Sequence, residues 1–157
     1  MRLEYFQLID RIVALDLPGR TISSEATVPA ESTIFEGHFP GYPLMPGVLL
    51  IETMAQTAGW LVVAANRFER MPFLAAVKEA KLRNFVKPNQ VLKVEATLEH
   101  EGSGYAITKA RILLKDEVVC DASITFRVLA FPNDEMKSMM HAWAKRIEFP
   151  SEEPADG

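Results

Sequence analysis

A histidine in a loop stiffened by proline, a lone carboxylate in an apolar helix and a glycine where that helix begins are the residues best suited to chemistry. His38 stands in Gly37-His-Phe-Pro-Gly41, and histidine is the side chain that titrates near neutral pH and can take a proton there. Glu52 is the single charge in Val48-Leu-Leu-Ile-Glu-Thr-Met-Ala-Gln56. Desolvation in such a setting disfavours the ionised form, raises the pKa and keeps a proton on the carboxyl, as a general acid requires. Gln56 follows one helical turn later on the same face and can hydrogen-bond that carboxyl. At Gly47 and Val48, the start of the helix, backbone N–H groups lack intrahelical partners and the dipole is positive, so an N–H there can polarise a carbonyl oxygen.

A base, a protonated acid and a carbonyl-polarising N–H are together what eliminates water from a 3-hydroxyacyl compound. Each residue also has a structural reading: His38 as a packing residue, Glu52 in an ion pair or cap, Gln56 in a buried polar cluster, Gly47 as an easy loop-to-helix turn. His100, before a turn, and His141, on a terminal helix, read as structural. Cys120 alternates onto the apolar face of a strand and reads as a packed thiol. The chain carries no Gly-rich phosphate loop, HExxH, CxxC or GxSxG, so neither a metal nor another cofactor is indicated.

These residues need elements to position them. Glu36 to Gly47, with three prolines and three glycines, must be a shaped loop. The helix is expected from Pro46, suited to the first helical position, to about Ala65, and its nearly all-round apolarity calls for neighbours on several sides. Residues 3–9 suggest a short helical turn and Arg20 to Val28 a strand. Further strands are expected over Phe73–Val86, Val91–Leu98, Tyr105–Leu114 and Val118–Leu129. The turns at Glu101–Gly104 and Lys115–Glu117 make the last three antiparallel neighbours. Asn133 caps a final helix whose apolar residues Met136, Met139, Met140, Trp143 and Ile147 share one face that must dock on something. The sum is an α+β fold with a helix on one face of an antiparallel sheet.

With 157 residues, 48% hydrophobic and 24% charged, the chain has the size and composition of one ordinary domain. A single cysteine excludes an intrachain disulfide framework and fits a reducing cytoplasm. The first 17 residues hold dispersed charges and no apolar h-region, so no signal peptide is expected. Glu52, Thr53, Gln56, Thr57 and Gly59 interrupt the one membrane-like stretch, so no transmembrane segment is expected either. A net charge of −4 argues against nucleic-acid binding. That charge lies in the last ten residues, and the end SEEPADG reads as a solvated acidic tail.

The run Gly37-His-Phe-Pro-Gly-Tyr-Pro-Leu-Met-Pro-Gly-Val-Leu49, followed by Ile51-Glu-Thr-Met-Ala-Gln56, closely resembles the signature of the FabZ-type 3-hydroxyacyl-acyl-carrier-protein dehydratases, including the offset of 14 from the histidine to the carboxylate. Weaker similarity at Ala80–Pro88 and Val119–Ser123 extends it over residues 5–129. Glu at position 52 resembles the FabZ type, which dehydrates, rather than the FabA type, which also isomerises the double bond. The resemblance implies the hot-dog fold, a long central helix wrapped by a curved antiparallel sheet, over residues 1–130.

It implies His38 and Glu52 as the catalytic pair, taken from different subunits of a homodimer, with a trimer of dimers in many members. Gly47, Val48, Gln56, Phe39 and Pro46 are implied to meet the substrate. The implied partner is acyl carrier protein bearing a phosphopantetheine-linked 3-hydroxyacyl chain; Lys78, Lys81, Arg83 and Lys87 are candidate docking charges, with an ordinary solvated face as the competing account of most of them. Residues 131–157, a C-terminal helix and the acidic tail, depart from typical members. Such an extension resembles FabZ-like members that serve very long acyl chains for lipid A. The competing readings are another hot-dog activity, thioester hydrolysis or enoyl isomerisation, and an inert acyl-binding subunit.

Overall fold

The computed structural model describes residues 1–150, and the acidic tail lies outside the described residues. A 3₁₀ turn at Leu3–Tyr5 leads into β1 (Arg11–Asp16) and β2 (Thr21–Thr27), then a one-turn helix α1 (Thr33–Gly37) and the long helix α2 (Gly47–Ala65). Four strands follow, β3 (Arg70–Leu82), β4 (Val91–Gly102), β5 (Tyr105–Leu114) and β6 (Glu117–Ala130), and then α3 (Asp134–Arg146). The strands form one fully antiparallel sheet in the order β1-β2-β4-β5-β6-β3.

Alternation decides which face of the sheet is dry. Ile22, Ser24 and Ala26 of β2 pair with Ala96, Val94 and Leu92 of β4, and all six are buried. Across the middle strands Ala96 pairs with Ala110 and Ala110 with Ala122. A row of alanines leaves room for a helix to lie against the sheet, and α2 packs on β2, β3, β4, β5 and β6. Leu50, Met54, Leu61, Val62 and Val63 of α2 are all buried, and each such side chain contributes about 1.5–3 kcal/mol through burial. The two polar groups facing each other in this interior satisfy one another: Ser24 and Thr57 hydroxyls are 2.7 Å apart. By length and apolarity α2 resembles a membrane span, yet 67% of that stretch is buried inside the fold.

Local chemistry sets the ends of these elements. Lys115 and Asp116 both have positive φ, the backbone of a two-residue I′ hairpin loop, and they join β5 to β6 as the turn signal there implied. Asn133 accepts from the Met136 N–H at 2.8 Å and starts α3 as expected. Pro46 departs from expectation: its ψ of 134° is extended, so it is the N-cap of α2 and Gly47 is the first helical residue. The strand expected at 73–86 runs instead from Arg70 to Leu82. β1 and α1 were not expected at all.

The docking face of α3 also differs from its sequence reading. Met140, Ala144 and Ile147 are buried, Met136 and Met139 are half-buried, and Trp143 stays 37% exposed. The helix is held at its end by the Ile12 N–H, which donates to the Ile147 carbonyl at 2.7 Å, and by His141, which stacks on Phe68 with centroids 4.6 Å apart.

Candidate active site

α1 aims His38. Ser32 caps the helix by accepting from the Ile34 N–H, and the His38 N–H then donates to the Ile34 carbonyl at 3.0 Å. The chain turns back through Phe39–Tyr42, where the Phe39 and Tyr42 backbones exchange hydrogen bonds of 2.9 and 2.8 Å. Gly41 takes the φ of +72° that this turn needs. The Leu44 N–H closes the loop on the His38 carbonyl. The ring is fixed as well: Nδ1 lies 3.0 Å from the Leu44 carbonyl oxygen, and Phe39 stacks on it at 4.1 Å. A carbonyl oxygen only accepts, so in the neutral ring Nδ1 carries the hydrogen and Nε2 keeps the lone pair. His38 thus presents the Nε2 lone pair for accepting a proton.

Glu52 sits on α2 and is half-buried. Burial pushes its carboxyl above the ordinary carboxylate value of 4.5, opposed in part by the Gln56 amide, which donates to it at 3.3 Å. Gln56 is itself locked. Its Nε2 donates to the Phe6 carbonyl at 2.8 Å and its Oε1 accepts from the Leu8 N–H at 3.2 Å, which fixes the amide's orientation without ambiguity. The N-terminal turn that supplies those groups reaches α1 too, because Glu4 accepts from Ser32 Oγ at 2.7 Å and from the Thr33 N–H at 3.0 Å. Those bonds, the Ser32 hydroxyl foremost, hold the Glu4 pKa down at about 2.

Among the described residues, the Gly47 and Val48 N–H groups have no hydrogen-bond partner, as expected of a first helical turn. A methyl group on Gly47 would run into Leu82 Cδ1, so glycine here allows a close approach. The Val48 side chain is 72% exposed.

Two cavities hold most of these residues, and they share no lining residue. His38, Phe39 and Gly47 border a space of about 370 Å³ with Leu82, Asn84 and Phe85, which follow or end β3. Glu52 and Gln56 border another of about 300 Å³, walled by Phe6, Trp60, Met71 and Trp143 among others. Pro46 and Val48 line neither. Sequence reasoning missed Leu82, Phe85, Phe6 and Trp143, because their approach is made by tertiary packing. Their only signal in the sequence is apolarity, periodic in the case of Trp143.

The remaining residues of interest fall where their surroundings explain them. Arg83 is paired with Asp121 at 2.6 Å, while Lys78, Lys81 and Lys87 are exposed. Cys120 is buried, which with the neighbouring Asp121 charge pushes its thiol up to about 11, so it stays protonated at neutral pH. His100 is exposed on β4.

A long helix wrapped by a six-stranded antiparallel sheet defines the hot-dog fold. Solved structures bear this out: a putative thioesterase of Lactococcus lactis superposes with a TM-score of 0.65 at 12% identity, over 83% of this chain and all of that one. A conserved protein of Pseudomonas aeruginosa does so at 0.63 and 20%, over 80% and 91%. Sequence narrows the class, since the FabA-like domain matches residues 2–123, and the chain belongs to that family. Curated relatives named 3-hydroxyacyl-[acyl-carrier-protein] dehydratase FabZ include those of Fusobacterium nucleatum, 37% identical over 77% of this chain and 85% of its own length. That of Lactobacillus helveticus is 36% identical, over 76% and 81%.

Proposed function

We propose that this protein removes water from a 3-hydroxyacyl thioester carried on acyl carrier protein, giving the trans-2-enoyl thioester. The observation that carries the reading is the pair of complementary groups: a histidine whose Nε2 lone pair is set free by the Nδ1 contact to Leu44, and a carboxyl that burial keeps protonated to higher pH. His38 Nε2 takes the proton on the carbon next to the carbonyl. The electrons of that C–H bond form the new double bond as the C–O bond to the hydroxyl breaks, and Glu52 donates the proton that makes the leaving group water. The Gly47 N–H at the positive end of α2 stabilises the negative charge that builds on the thioester oxygen.

Because the two residues border separate cavities, the reading requires a homodimer in which His38 of one subunit meets Glu52 of the other. An edge supports it. β3 runs for 13 residues, pairs on one side with β6, and with the segment after it exposes Leu74, Val77, Leu82 and Phe85. A long apolar edge strand is a template for a second chain. The acyl chain then lies in the apolar cavity below Glu52, residues 1–130 carry the chemistry, and the setting is cytoplasmic. The extension beyond residue 130 supports placement among members serving very long acyl chains.

Turnover of 3-hydroxyacyl-carrier-protein by the purified chain, read as the mass of the pantetheine-bound product, tests the proposal. Loss of one water that disappears in His38→Ala is expected, and carrier binding without water loss at any chain length would overturn it. Thioester hydrolysis, the activity named for several hot-dog neighbours, is the second reading, and free thiol among the products would favour it.

A further inference from the structure

We infer that α3, which lies outside the matched family domain, is a wall of the acyl-binding groove and gives this protein its grip on the distal part of a long acyl chain. The inference rests on the dehydratase reading and adds the substrate class. On α2 the residues bordering the Glu52 cavity are Glu52, Ala55, Gln56, Gly59 and Trp60. They fall at i, i+3, i+4, i+7 and i+8, which is one helical face. The groove therefore runs from the carboxyl along α2, covering about 10 Å of axis between Glu52 and Gly59 at 1.5 Å per residue.

Small side chains keep it open. Ala55 and Gly59 floor its middle, and a methyl at Gly59 would find only Pro72 Cγ at 3.7 Å and Phe126 Cε1 at 3.9 Å, ordinary contacts that leave the backbone undisturbed. The opposite wall comes from α3: Met140, Trp143 and Arg146 border the same space, with Met140 buried and Trp143 at the rim. Without α3 this stretch would face water, and the cost of leaving an alkyl chain wet grows with every methylene. The helix is anchored where His141 stacks on Phe68, and the segment that follows it is anchored by Phe149, which meets both Phe68 and Trp60. Tryptophans 60 and 143, the only two in the chain, both border the groove.

The test compares the full chain with Trp143→Ala and Trp143→Phe on short-chain and very-long-chain 3-hydroxyacyl-carrier substrates. In Trp143→Ala, kcat/KM for the long substrate is expected to fall about tenfold or more, the scale of apolar fit worth a methylene or two. Short-chain kcat/KM falls several-fold less than the long-chain value, and Trp143→Phe retains the long-chain preference. Equal losses at both lengths, no loss, or a gain for the long chain would each overturn the proposal. A second measurement needs neither truncation nor turnover: a long-chain thioester brominated near its ω end should quench wild-type tryptophan fluorescence more than that of Trp143→Phe. Equal quenching overturns the wall. Absence of water loss at every length in the wild type is the separate failure of the dehydratase reading, because the quenching arm still reports where the acyl chain lies.

Discussion

The Gln56 amide ties the Glu52 carboxyl to the N-terminal turn: one NH₂ group donates to Glu52 at 3.3 Å and to the Phe6 carbonyl at 2.8 Å, while its oxygen accepts from the Leu8 N–H. The first eight residues therefore brace the Glu52 carboxyl. Through Glu4 and its bonds to Ser32 and Thr33 they also brace the helix that leads to His38.

Replacing Gln56 by Leu should uncouple that brace. The Leu8 N–H, on a fully buried residue, loses its partner, so unfolding free energy should drop by about 1–3 kcal/mol. kcat should fall more than KM rises, since what is lost is the placement of the acid. An unchanged melting temperature and kcat would show that the amide positions nothing.

Glu52→Gln keeps the shape of the side chain and removes the transferable proton. Turnover should fall by about 10²–10⁴, the usual worth of a general acid, without loss of stability. Steady-state kinetics beside a thermal melt checks both halves, and near-wild-type kcat would remove Glu52 from the mechanism.

The pH dependence has a definite sign. Burial raises the folded-state pKa of Glu52 above 4.5, and a group so raised contributes stability that is full below its unfolded pKa and is lost as pH rises through its folded value. Wild type should thus lose stability relative to Glu52→Gln as pH climbs from below 4.5 through that raised pKa. In the proposed mechanism turnover needs the protonated carboxyl, so it should decline on the same limb. Denaturation midpoints of the two proteins that run parallel with pH would contradict it.

Much of this fold is legible in the sequence where one physical signal dominates. The nearly continuous apolarity after Gly47 gives α2, alternation gives β4 to β6, and the Asn133 cap gives α3. β1 is not legible because it is an irregular edge strand: its register shifts between Ile12 and Ala14, and Ile12 alone among its residues is buried. α1 is a single turn that owes its place to Glu4, nearly thirty residues earlier. The loop and helix that carry His38, Gly47 and Glu52 are contiguous, so that part of the site reads from spacing. Trp143 meets the Glu52 groove from more than ninety residues away, and no local pattern encodes such a contact.

Gly47 permits a test of the loop-to-helix junction. In Gly47→Ala the new methyl displaces Leu82 from beside the His38 cavity, and kcat/KM should fall at least about tenfold while the fold persists, because Leu82 is an exposed, flexible side chain. Full activity in that variant would mean the close approach at Gly47 has no part in turnover.

The central claim is that His38 and Glu52 act together across two subunits, and coexpression of His38→Ala chains with Glu52→Gln chains tests it most directly. Each variant alone should be inactive in water loss from a 3-hydroxyacyl-carrier substrate. Random pairing in a two-fold dimer builds one intact site per mixed pair, so the mixture should recover about a quarter of wild-type turnover. A mixture as inactive as its components, with mixed dimers present, would contradict the account.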